Sequence, residues 1–186
     1  MELICELLKK SRSFGVDHNF WKELTSNGPL LAQVAETVKE AYTYIDCSSA
    51  PFCPSRLKVL HHTVTDSLNW DEKLFDQFRP ISQIGTGVLS GSNFLKKIKS
   101  EKFNVANANV LDWLLAHQDF IPEVWKNDRT YFWGTTYTWE EGKETPIVRY
   151  LAWDNPSKKN EPHWVSSWSN IDNLSLDRNC YSLILK

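Results

Sequence analysis

Cysteine and histidine are the residue types here that most readily suggest chemistry, and they gather in one stretch: Cys47, Cys53, His61 and His62, with Asp66 just beyond. Three chemistries use such a set. Zinc would need thiolate and imidazole ligands converging tetrahedrally. The spacing Cys-x5-Cys-x7-His-His matches no common zinc knuckle. Adjacent histidines on a strand also point to opposite faces, so at most one could join the cysteines. A thiol enzyme would pair Cys53 with His61 or His62 and Asp66, but no nucleophile elbow or oxyanion-forming motif accompanies them. A Cys47–Cys53 disulfide would close the proline loop in an oxidising compartment. The expectation is ordinary loop thiols, no metal and no catalytic residue. Gly85-Thr86-Gly87-Val88-Leu89-Ser90-Gly91-Ser92 is neither Gly-x-Gly-x-x-Gly nor a Walker loop with its lysine. It reads as a flexible connector, so no cofactor is expected. His163 reads as a hydrogen-bonded surface histidine, and Glu140 and Glu141 as turn residues.

The elements that would position these groups follow from periodicity. Residues 2–10 form a short amphipathic stretch on Leu3, Ile4, Leu7 and Leu8, broken at Gly15, and Asp17 caps a second helix. Asn27-Gly28-Pro29 launches a longer helix striped by Leu30, Leu31, Val34, Val38, Ala41, Tyr42 and Ile45. Two prolines and three serines make residues 46–55 a loop. Residues 56–65 lean to strand. Asn69 with Glu72 has capping-box spacing and predicts a helix that buries Trp70, Leu74, Phe75 and Phe78 before Pro80. Ser92 or Asn93, and then Asn107 or Asn109, cap two further helices. Pro122 opens a single helical turn through Trp125.

From Arg129 the period changes to two. Residues 131–139, 147–153, 163–168 and 181–185 read as strands, joined by a hairpin loop containing Gly142 and a longer turn at 154–160. The expected fold is α+β: a mainly helical region, 1–104, packed with a small C-terminal antiparallel β-meander of about four strands in 105–186. The aromatic share is 13%, and seven of the nine tryptophans lie between Trp113 and Trp168. The odd positions of 131–139 place Tyr131, Trp133, Tyr137 and Trp139 on one side. With Arg149, Trp153, Trp164 and Trp168 they form the pool for a binding surface, because peptides, sugar faces and bases all stack on such rings.

The runs Asn109-Val110-Leu111-Asp112-Trp113-Leu114-Leu115, Ile121-Pro122-Glu123-Val124-Trp125-Lys126, Phe132-Trp133-Gly134-Thr135 and Val148-Arg149-Tyr150-Leu151-Ala152-Trp153 resemble the C-terminal module of certain uncharacterised bacterial proteins. The resemblance implies that the stretch from Asn109 onward is one compact unit, and it brings no activity and no catalytic residues. A net charge of −2 does not favour broad nucleic-acid binding; Lys96, Lys97, Lys99 and Lys102 read as a solvated helix face. No apolar run suits a membrane span and the N-terminus lacks a signal-peptide pattern. These features predict a soluble cytoplasmic binding or interaction protein with a protein or peptide partner. A small thiol- or histidine-dependent hydrolase and a self-assembling structural component are the alternatives; oligomeric state is left open.

Overall fold

The computed structural model describes residues 18–79, 89–141, 145–155, 161–177 and 179–186. The expected helix at 2–10, Gly15, Asp17, the connector through Val88, Gly142 and residues 156–160 lie outside them. The chain divides into two compact units, residues 1–44 and 45–186. In the first, α1 (His18–Ser26) and α2 (Gly28–Thr43) are separated by Asn27, whose side chain accepts from Leu30 N at 3.1 Å. Pro29 costs α2 nothing in its first turn, where its missing N–H would have had no partner. Leu24 is buried, whereas Leu31 and Val38 of the α2 stripe are exposed.

The second unit is built on a six-stranded mixed sheet. Its strands are β1 (Leu57–His62), β2 (Phe75–Phe78), β3 (Arg129–Trp139), β4 (Ile147–Asp154), β5 (His163–Asn170) and β6 (Cys180–Leu185). They lie in the order β2-β6-β3-β4-β5, with β1 against the C-terminal half of β3. Strands β3, β4 and β5 form an antiparallel run, while β6 pairs parallel to β3 through Cys180–Ser182. Two helices cover the faces. Helix α3 (Gly91–Glu101) is capped by Ser90, whose hydroxyl accepts from Asn93 N, and ends at Lys102 in the left-handed region, φ 53°. Helix α4 (Ala108–Ala116) is capped by Asn107, whose side chain accepts from Asn109 N. Phe94 and Ile98 of α3 pack with Tyr131, Trp133 and Val148; Val110, Leu111 and Leu114 of α4 pack with Phe132, Leu151 and Trp164. Each such fully buried side chain contributes roughly 1.5–3 kcal/mol of transfer free energy.

A small C-terminal meander preceded by helices is therefore incorrect. Two strands come from before residue 80, and β6 does not extend the antiparallel run but enters the sheet between β2 and β3. The error traces to residues 69–78. Asp71, not Asn69, provides the cap, and the turn it starts is a 3-10 helix of three residues, Glu72–Leu74. Phe75–Phe78 then runs extended and pairs with β6 over four residues. A strand here satisfies backbone groups along an otherwise open sheet edge, which a lone helical turn would not. Trp70 and Phe75 are still buried, stacked at 4.8 Å, while Leu74 is exposed.

The four rings of β3 do not share a side either. Tyr131 pairs with Tyr150 and Tyr137 with Ile147, but the register shifts between Tyr131 and Thr136. Residues 132–135 stand opposite Arg149 alone, so the parity of the strand inverts there. Tyr131 and Trp133 face α3; Tyr137 faces the α4 side with Ala108 and Leu57. The irregularity is built around Gly134. Its N–H donates to Ala106 O at 3.0 Å and its carbonyl accepts from Thr63 N at 2.6 Å. Beside it Thr135 Oγ1 accepts from Ala108 N at 2.9 Å and contacts His62 Nδ1 at 2.8 Å. Buried Asn107 completes the knot by donating to Cys47 O and Thr63 O.

Candidate functional site

The pool of eight residues named from the sequence separates into three groups. Tyr131 and Trp133 are core side chains. Burial pushes the Tyr131 phenol up to about 12, so it stays protonated. Trp153 and Trp164 form an edge-to-face pair at 5.2 Å, with Lys126 Nζ 4.0 Å over the Trp153 ring and Trp164 buried. Arg149, Tyr137, Trp139 and Trp168 come together at the opposite end of β4 and β5, and that end is the candidate site.

Its floor is Arg149, which is 4% exposed. The guanidinium makes a two-pronged contact with Asp112 of α4, Nη2 to Oδ1 at 2.7 Å and Nη1 to Oδ2 at 3.2 Å, and Nε donates to Ser166 Oγ of β5 at 3.2 Å. The planar fork of arginine matches a carboxylate in this way, giving direction as well as charge pairing. Tyr137 lies beside it and donates its hydroxyl to Phe52 O at 3.0 Å; burial, only partly offset by Arg149, raises the phenol pKa. Held in this way by Asp112 and Ser166, Arg149 acts as a tie between α4, β4 and β5, and its charge is already paired with a carboxylate.

The rim above this floor is aromatic. The Phe52 ring lies 5.5 Å from the guanidinium carbon and is 62% exposed. Trp168 is 46% exposed and meets half-buried Trp139 edge-to-face at 5.2 Å. Three rings thus stand partly in solvent on a base fixed by a buried ion pair. Sequence reading had not singled out Phe52, Asp112 or Ser166. A signal for Asp112 existed: it is the only charged residue in α4, and Arg149 is the only basic residue in an apolar strand.

No family model, no curated protein and no solved structure matches this chain. The site's chemistry is therefore read from its geometry alone. Cys53, near the rim, donates its thiol to Leu57 O at 2.9 Å. Burial and then Glu140 raise its pKa, the opposite of what an activated thiolate needs. His61 and His62 contact the hydroxyls of Thr63 and Thr135, respectively, and neither of these contacts joins an imidazole to a thiol. Cys47, Cys53 and Cys180 are free thiols, and no group of three or more potential metal-ligating side chains occurs among the described residues. His163 contacts the Glu161 carbonyl at 2.9 Å. A cavity of about 220 Å³ lies beside Trp153, lined by Lys126, Asp128, Arg129, Asp177 and Asn179, and mixes both signs of charge. Among the described residues no helix is long and apolar enough to cross a membrane.

The His62 ring provides a pH test of the knot beside Gly134. Burial, and secondarily His61, lowers its pKa below the ordinary 6.5, against the opposing effect of the Ser49 carbonyl. The unfolded chain then binds the proton more readily than the folded chain. The corresponding stability is complete above the unfolded value and is lost as pH falls below about 6.5 toward the folded value. Chemical denaturation between pH 7.5 and 5 is expected to show this loss, and His62→Gln to flatten it. A His62→Gln profile as steep as the parent's would assign the loss to other groups.

Proposed function

We propose that this is a non-enzymatic binding protein that recognises a peptide segment of a partner through the aromatic rim of Phe52, Trp139 and Trp168. The observation that carries the reading is large rings left partly in solvent over the two-pronged Arg149–Asp112 pair. Exposed rings give contact area at low cost in side-chain entropy, and clustered aromatics on a rigid base suit the energetic centre of an interface. Three free thiols among the described residues fit a reducing compartment such as the cytoplasm.

The test is selection of peptides from a displayed random library against the full chain, followed by titration monitored through tryptophan fluorescence. Selected peptides are expected to lose about tenfold or more in affinity on Phe52→Ala or Trp168→Ala, with the circular dichroism of both variants unchanged. Leu60→Ala, on exposed β1, serves as the control. Peptides that bind all three variants equally would remove the rim from the interface.

A further inference from the structure

The outer edge of β5 is unlike the other free edges of the sheet. Strand β5 pairs with β4 over eight consecutive residues, Asp154↔His163 through Ile147↔Asn170, with no shift of register. On its other side no strand follows it in the sheet. Two hydrogen bonds identify which backbone groups point outward. Ile171 N donates to Pro146 O, toward β4, whereas Trp164 N donates to the side-chain oxygen of Gln118 at 3.3 Å. Backbone polar groups alternate sides along a strand, so the even positions 164, 166, 168 and 170 face outward. Gln118 occupies the first. Ser166, Trp168 and Asn170 remain, and among the described residues no other element pairs with them.

Free strand edges in monomeric proteins carry charges, prolines or bulges that discourage pairing. Strand β1 carries Lys58 and a register shift, and β2 carries Asp76 bound to Lys186. Strand β5, His-Trp-Val-Ser-Ser-Trp-Ser-Asn, contains no Asp, Glu, Lys, Arg or Pro. Its three outward positions are also symmetric about the middle one. An antiparallel copy set on a two-fold axis through Trp168 would pair Trp168 with Trp168 and Ser166 with Asn170 in both directions. No like charges would then oppose one another within the strand, and every outward group would meet its complement.

We infer that the chain associates with a second copy of itself by antiparallel pairing of the two β5 edges about Trp168, making one continuous sheet across the dimer. The occupant is a copy because the uncharged edge is self-complementary in register and opposes no like charge to itself. This inference stands apart from the peptide-binding reading, since it concerns backbone groups of the edge rather than the rim's ligand.

Sedimentation of the full chain from low micromolar to several hundred micromolar is expected to show the mass rising from 21.6 kDa toward twice that value. Amide hydrogen exchange of Ser166, Trp168 and Asn170 is expected to slow over the same range. Trp168→Lys places two like charges directly opposite each other on the two-fold axis, and Asn170→Pro removes the outward N–H that would pair with the Ser166 carbonyl of the copy; each is expected to weaken the dimer by about tenfold or more, while Leu60→Lys on β1 leaves it intact. Asn170→Pro keeps the rim rings, so loss of the dimer with peptide affinity retained separates this interface from the binding site. A monomer at every concentration overturns the inference. So does a dimer that survives both Trp168→Lys and Asn170→Pro, or one whose exchange protection appears elsewhere.

Discussion

Asp112→Ala is expected to destabilise the protein by about 3 kcal/mol, the low end of what breaking a buried ion pair costs. The reason is what it leaves behind. The Arg149 side chain is 5% exposed and would keep the Ser166 and Tyr137 hydroxyls and the Phe52 ring, none of them a counter-charge at neutral pH, beside its charge, whereas Asp112 itself is 29% exposed and yields its place partly to water. That asymmetry also predicts the double variant. Arg149→Met with Asp112→Ala removes the stranded charge and is expected to recover at least half of the loss, because a buried pair set against an apolar replacement is close to neutral. Urea denaturation of the parent, the single variants and the double variant closes the cycle. A cost for Asp112→Ala below about 0.5 kcal/mol would place the pair with surface salt bridges and would leave the rim without a rigid base.

Gly134→Ala is expected to be worse still, at about 3 kcal/mol or more, or to yield no folded protein. A methyl group at this position would lie 2.9 Å from each of Asn107 Cα, Asn107 N and Val105 O. All three are backbone atoms, so no side-chain rotation relieves the contact. The segment they belong to is itself fastened, Ala106 N to Leu183 O at 2.9 Å and Gly134 N to Ala106 O at 3.0 Å. Overpacking of this kind forces the backbone to move, and here the movement would shift β3, α4 and β6 together. Gly28→Ala provides the contrast, with nothing within 4 Å of the added carbon, and is expected to change thermal stability little. Parallel thermal unfolding of both variants separates the effect of the contact from that of the methyl group.

The period-two strands from Arg129 onward were legible because alternation of large and small or polar residues marks them locally. Their assembly was not. Nothing local in Cys180–Leu185 states that it pairs parallel to β3, and nothing in Phe75–Phe78 states that extended backbone prevails over a helical turn; both depend on which edge is open. The inversion of parity in β3 had one local trace, Gly134 within a run of bulky residues, since a glycine inside a strand marks a bulge or a close backbone approach. Counting every second residue past it put Tyr131 and Tyr137 on the same face. For the site, ring density pointed to the correct half of the chain. It did not distinguish core rings such as Trp133 from rim rings such as Trp168, because that difference is made by α3 and α4 rather than by the strands. Phe52, in a proline loop far upstream, is joined to the site by the Tyr137 hydroxyl and by the Arg149 guanidinium over its ring.

The place of β6 has a consequence for how the chain acquires its structure. Residues 180–185 follow both of their neighbours in sequence, yet they sit inside the sheet, with β2 on one side and β3 on the other. Partners separated by some fifty to more than one hundred positions must meet before this seam closes, so the chain pays loop-closure entropy early and is rewarded late. A nascent or truncated chain ending before Cys180 would hold β2 and β3 with facing edges open and the buried sides of Leu183 and Ser182 missing. Closure of the sheet between β2 and β3 would then be gated by the arrival of β6, with the run β3-β4-β5 left to form ahead of it.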